Sequence, residues 1–458
     1  MAKQKDIFRK SAEAPAQFLD KSVVTTQKIT SSIPSGDMVK RTGDYWHTLG
    51  PGLTTGASGD DPSGIATYSQ TGAKFGFQFL WLALWSFPLT AIVQEMCARI
   101  GLVTGRGLAG NIRVNFNRRV LYACASLLFV TNAINIGADL GAMATAVQLL
   151  RPDLSFGWLV AGFTFFSLFM QIFTPYDKYA RYLKWLALVL LAYVFSAILA
   201  NLNWSEILPK AFIPDMSFTK EHIILLCAVL GTTISPYLFF WQTSQEVEEQ
   251  ILQGKTTLRQ RRTATAPSDV KKMRIDVWSG MFLGAIVMFF IIAACGGILY
   301  THGIHNITSA AQAAEALRPF AGNSTFFLFA IGIIGTGLLA IPVLAGSSSY
   351  TVSESFRWKE GLYRPLNQAH AFYGVIIISM LVGLGFNFLG IDPIKALIIA
   401  AFVNGLVAPI ILALIVIMSS NKNVMGKWTN RRSTTYFGWM ITAFMAIVGI
   451  AGIYSIFS

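Results

Sequence analysis

The sequence predicts an all-α polytopic membrane protein, and three observations predict it. Only 13% of the 458 residues are charged, where a soluble domain carries roughly a quarter. Hydrophobic residues make up 53% of the chain. Apolar stretches of membrane-spanning length, such as 326–344 and 394–418, recur along most of it. These features exclude a soluble enzyme and favour one membrane domain, 44–458, over several globular ones. The net charge of +13 raises nucleic acid as a partner. The basic residues, however, lie between the apolar stretches rather than on one face, so they belong at a lipid bilayer surface. Cys97, Cys124, Cys227 and Cys295 all fall inside apolar segments, at spacings of neither a zinc cluster nor a disulfide framework.

Residues 1–43, rich in Lys, Ser, Thr and Gln without apolar periodicity, read as a disordered basic cytosolic tail. Eleven spans follow, at about 48–72, 77–103, 120–150, 157–174, 183–203, 221–245, 277–300, 325–349, 370–389, 393–419 and 434–457. Loop charge orients them. With the N-terminus inside, thirty of the 36 Lys and Arg collect on the inner side. The outer loops keep only Lys74, Arg151, Lys210, Lys220, Arg318 and Lys395. An odd number of spans then puts the C-terminus outside, in a plasma (inner) membrane. The basic segment at about 250–277 reads as a solvated cytosolic loop near anionic headgroups.

Two spans are interrupted. The first carries Asp60, Asp61, Pro62, Ser63 and Gly64 near its middle, and the sixth carries Thr232, Thr233, Ser235 and Pro236. Proline removes a backbone donor, so both helices should unwind, with Pro62 and Pro236 as hinges. Unwound backbone in lipid must be buried in protein or line a wet cavity. Interruptions five spans apart are the mark of an inverted repeat, here about 48–203 and 221–419, with 434–457 as an added helix. An acidic residue at such a depth faces an ion, a cavity or a partner. Asp61 is therefore a candidate ligand, with capping of the second half of its span as the structural alternative. Asp60, its neighbour, should point elsewhere. Phe239, Phe240 and Trp241 read as packing residues, and His302 and His305 as members of a solvated loop.

Along nearly the whole apolar region the chain resembles the Nramp family of divalent metal transporters. The resemblance is carried by GPG at 50–52, Asp61-Pro62 eight residues on, IGLVTGRGLA at 100–109, the Pro236 break, SYTVSESFRW at 349–358 and SSNKNVMG at 419–426. It implies a LeuT-like fold, alternating access, a central metal held by the first and sixth helices, and coupling to protons. The family's first-helix motif, Asp-Pro-Gly-Asn, reads here Asp61, Pro62, Ser63 and Gly64. Its sixth-helix motif, Met-Pro-His, reads Ser235, Pro236 and Tyr237. The thioether ligand is thus absent. Asp61, the Ser235 hydroxyl and the Thr232 carbonyl form an all-oxygen partial shell, with Gly64 and Tyr237 beside it. Such a shell suits Mg2+ or Mn2+ with retained water better than Fe2+. The family's second sixth-helix His corresponds to Gln242. Its acidic third-helix position falls near Ile136, with Asp139 close by, so the proton pathway is altered. Asn404 in span ten is a weaker candidate, equally suited to gluing helices together. The expectation is a secondary transporter of a divalent cation, with no cofactor beyond its cargo. A bicarbonate-like anion held at the positive ends of broken helices, or a non-transporting metal sensor, are the alternatives.

Overall fold

A computed structural model describes residues 44–457, apart from 201, 215–218, 264, 308 and 390–392; side chains of 393–399, 401–402, 456 and 457 are likewise not described. The predicted tail 1–43 lies outside the described residues. The main helices are α1 (Pro51–Ser58), α2 (Pro62–Phe75), α3 (Leu80–Thr104), α4 (Leu108–Asn115), α5 (Arg118–Leu150), α6 (Phe156–Phe173) and α7 (Tyr176–Leu199). They continue with α8 (Lys220–Thr233), α9 (Pro236–Leu252), α10 (Pro267–Cys295), α11 (Ala310–Phe356), α12 (His370–Phe386), α13 (Pro393–Ser420) and α14 (Arg432–Phe457).

Nine helical segments among the described residues are long and apolar enough to cross a membrane, α8 and α9 forming one of them. The shorter apolar α12 and the broken pair α1–α2 bring the crossings to the eleven that hydropathy predicts. Broken helices stand at positions one and six of that series, as the repeat requires.

Two boundaries differ from the sequence reading. Helix α10 starts at Pro267 rather than near 277, so the segment read as a solvated loop at 250–277 is partly helical. Pro267 at the first helical position and Asp269, which accepts the Ala266 N–H at 3.0 Å, start the helix early. A short helix, Leu258–Thr263, occupies more of the same segment. Helix α11 runs from Ala310, fifteen residues ahead of the hydropathy limit at 325, with a kink at Gly322 where φ is 82°.

The core forms around α1 and α2, because small residues let their backbones approach α10. A Cβ on Gly56 would run into the Gly280 backbone, and one on Gly72 would lie 2.6 Å from the Ile292 carbonyl. Helix packing in lipid gains chiefly from such close van der Waals contact. Asp276, in the first turns of α10, accepts the N–H groups of Gly50 and Gly52 at 2.7 Å each and of Leu53 at 3.0 Å. It thereby satisfies the orphan donors of α1. Phe239, Phe240 and Trp241 are buried in the core. His302 lies on Phe320 with its Nδ1 at the Ile298 carbonyl, and His305 lies beside Tyr300 with its Nδ1 at the Ala73 carbonyl.

Candidate functional site at the two helix breaks

Each break is created by a proline that removes one donor. The N–H four residues after Ser58 would be that of Pro62, and the one four residues after Thr232 would be that of Pro236. The carbonyls of Ser58 and Thr232 therefore lose their helical partners at equivalent places in the two breaks. The first is satisfied across the gap, because the buried Tyr237 hydroxyl donates to the Ser58 carbonyl at 2.8 Å. Tyr237 is the second residue of α9, so this bond ties the sixth span to the first. The Thr232 side chain donates to Val229 at 2.9 Å, within its own helix, leaving its main-chain carbonyl as the polar group of the second break.

Asp61 occupies the residue before Pro62 and adopts an extended conformation, φ −65° and ψ 167°, as the N-cap of α2. Its Oδ1 accepts the Gly64 N–H at 2.6 Å and the Ser63 hydroxyl at 2.6 Å. The cap is thus present, and because both bonds converge on one oxygen it does not consume the carboxylate. Gly64 contributes its N–H to that cap, and a Cβ there would lie 3.3 Å from Asp61 Oδ1. Ser235 stands in the matching position before Pro236 but does not cap α9; its hydroxyl donates back to the Gly231 carbonyl at 2.6 Å. The Ser235 oxygen keeps its lone pairs. Asp61 and Ser235 are both buried.

Around this centre lie further polar groups. Asp139 on α5 is fully buried, and neither carboxylate oxygen has a hydrogen-bond partner among the described residues. It lies within electrostatic reach of Asp61. Asp60 points away from Asp61, toward Gly284 of α10. Gln242 donates to Glu246 at 3.0 Å, one turn further along α9. Asn404 is buried in α13, and no hydrogen bond joins it to Asp61 or Ser235 among the described residues.

Several functional-looking groups escaped the sequence reading. Asp276 and Glu246 are buried, as are Glu248 and Glu354, which line a cavity of about 330 Å3 at the end of the bundle carrying α4. Glu248 accepts the Tyr350 hydroxyl at 2.5 Å and the Leu362 N–H at 2.8 Å. Glu354 accepts the Gly110 N–H at 2.7 Å, while Arg113 donates to its main-chain carbonyl. In the loop after α11, burial, followed by the neighbouring Glu354 charge, raises the Glu360 carboxyl above the ordinary carboxylate range. The available signal was acidic residues at helical spacing on α9, 246 and 249 with 248 between them, in a segment read as entering a loop.

Two facing broken helices within an eleven-span bundle define a LeuT-fold membrane protein, and comparison with known proteins agrees. The chain belongs to the Nramp family: the model for natural resistance-associated macrophage protein-like proteins matches residues 52–455. It is 24% identical over 406 residues to a divalent metal cation transporter MntH of Caldanaerobacter subterraneus subsp. tengcongensis, covering 87% of this chain and 91% of the relative. Against the MntH protein of Deinococcus radiodurans it is 25% identical over 434 residues, covering 94% and 93%. In structure it resembles the manganese transporter of Eremococcus coleocola, with a TM-score of 0.70, 17% identity and coverage of 93% and 89%. A Na+-coupled sialic acid symporter shares the fold at a TM-score of 0.57, with 13% identity and 98% of each chain covered.

Proposed function

We propose that this protein is a secondary transporter that carries a divalent metal cation, Mg2+ or Mn2+ in partly hydrated form, across the membrane by alternating access. The observation that carries the reading is the buried Asp61 carboxylate beside a break whose Thr232 carbonyl has lost its helical donor to Pro236. Asp61, the Thr232 carbonyl and the Ser235 hydroxyl supply oxygen only, and hard divalent ions prefer oxygen. Water completes the shell, since Ser63, Gly64 and Ser235 are small. The relatives named as divalent metal cation transporters point to the same cargo class. Pro62 and Pro236 act as hinges as the two halves rock around the ion. Asp139, Gln242 and Asp60 belong to the pathway that couples the movement, and Asn404 to the outer part of the site. The N-terminus faces the cytoplasm and the C-terminus the outside of a plasma (inner) membrane, following the bias of basic loops.

Uptake of Mn2+ and Mg2+ into proteoliposomes tests the reading. Wild type should show saturable uptake with mutual competition between the ions, and Asp61→Ala should reduce it at least about tenfold, the equivalent of ~1.4 kcal/mol of lost interaction. Uptake by Asp61→Ala at the wild-type rate would remove Asp61 from the site. Bicarbonate flux without metal flux would move the cargo to the anions.

A further inference from the structure

A second polar pocket lies on the other side of the first break. It is a cavity of about 20 Å3 between the first span (α1 and α2), α3, the sixth span (α8 and α9) and α10, its polar lining formed by Asp60, Tyr68, Ser86, Thr90 and Thr233. That volume accommodates one water-sized particle. Asp60 is 3% exposed, and its Oδ2 has no hydrogen-bond partner among the described residues. The same oxygen would lie 3.1 Å from a Cβ on Gly284, as would the Gly56 carbonyl oxygen, so a glycine at 284 keeps the space open.

Three of the four surrounding hydroxyls commit their protons to main-chain carbonyls. Ser86 donates to the Ala83 carbonyl, Thr90 to those of Ser86 and Phe87 at 3.0 and 2.9 Å, and Thr233 to Val229 at 2.6 Å. The Tyr68 hydroxyl lies 3.4 Å from Thr233 Oγ1 and within reach of the Asp60 carboxylate, so its proton serves one of these two side chains. Beside the apolar side chains of Leu238, Met281, Ala285 and Met288, the polar groups facing the pocket are hydroxyl oxygens and one carboxylate. A water molecule would bring two donors, yet it carries no charge, and the carboxylate would stay without a counter-charge in a buried place. A bare cation would serve the carboxylate and the hydroxyl lone pairs together. One carboxylate among neutral oxygens balances a single positive charge.

We propose that this pocket binds a monovalent alkali cation of Na+ size, held by Asp60 and the hydroxyl oxygens of Tyr68, Ser86, Thr90 and Thr233. The site is separate from the Asp61 centre and does not rest on the divalent reading of it. Its ligands come from the first span, α3 and the sixth span, and it borders α10. Occupancy therefore fixes how the break is seated, which suits a coupling ion.

Thermal unfolding of the purified full-length protein tests the site, in NaCl, KCl or choline chloride at one ionic strength. The wild-type midpoint should rise with Na+, saturating as a single site does, and not with K+. Asp60→Asn should lose the rise, and so should Thr90→Val and Gly284→Ala, the last by filling the space. Asp61→Asn should keep the Na+ response while losing the response to Mn2+, which separates failure of this site from failure of the divalent one. The proposal is overturned by an absent Na+ response in wild type, by an equal response to K+, or by a response that survives both Asp60→Asn and Gly284→Ala. If wild type responds to pH alone, Asp60 holds only a proton and the alkali site does not exist.

Discussion

Tyr237 shows how much one hydroxyl decides at a helix break. Its phenol is the donor that replaces the N–H missing from Pro62, so Tyr237→Phe leaves the buried Ser58 carbonyl unpaired at a cost of about 1–3 kcal/mol. Chemical unfolding in detergent should register that loss, and a variant as stable as wild type would show that water takes over the bond. Ser235 offers a different test, of preference rather than stability. A methionine at 235 places a thioether beside Asp61, and thioether sulfur favours softer metals. Ser235→Met should therefore raise Cd2+ affinity relative to Mg2+ by about tenfold or more in isothermal titration. An unchanged ratio would mean that residue 235 does not touch the ion. The two helix breaks, with Asp61, Thr232, Ser235 and the two prolines in them, were legible in the sequence because polar residues and proline stand out against apolar spans. The committed hydroxyl protons around Asp60 were not legible, since they depend on which helices become neighbours.

Among elements, the contact between the first span and α10 is made by glycines whose missing Cβ atoms decide the spacing. A Cβ on Gly56 or Gly280 overlaps backbone of the opposite helix. Gly280→Ala should consequently cost about 1–3 kcal/mol or more as the helices are forced apart. Gly374→Ala makes the control, because nothing lies within 4 Å of its Cβ, and it should be neutral or slightly stabilising. Thermal unfolding of both separates packing from helix propensity. Hydropathy reads spans well because burial in lipid and burial in protein demand the same apolar residues. It misreads where a span continues into polar sequence. Helix α10 begins at Pro267 and carries Lys271, Lys272 and Arg274 in its first turns, and its Asp276 is spent on the N–H groups of Gly50, Gly52 and Leu53. The start of α11 was missed for a similar reason, since Gln312, Glu315, Arg318 and Pro319 interrupt the apolar residues of Ala310–Phe320.

For the whole molecule, alternating access requires contacts that hold one end and release it. Glu354 is placed for this, joining α11 to α4 through Gly110 and lying so close to Gly107 that a Cβ there would overlap its carboxylate. Glu354→Ala should loosen that end. Ser244 lines the adjoining cavity, and Cys97, Cys124, Cys227 and Cys295 are all buried. A Ser244→Cys reporter should thus react with a membrane-impermeant maleimide several-fold faster when combined with Glu354→Ala, and equal rates would show that Glu354 is not a latch. The paired prolines bear on the molecule at the same scale. A protein built from two related halves inherits every flaw of its parent twice, once in each half. Here one copy of the flaw has been mended from the other side, by the tyrosine that reaches Ser58. Its counterpart, the Thr232 carbonyl, receives no such bond among the described residues, so of the two matching breaks one is closed and the other stays open, like a lock facing its key.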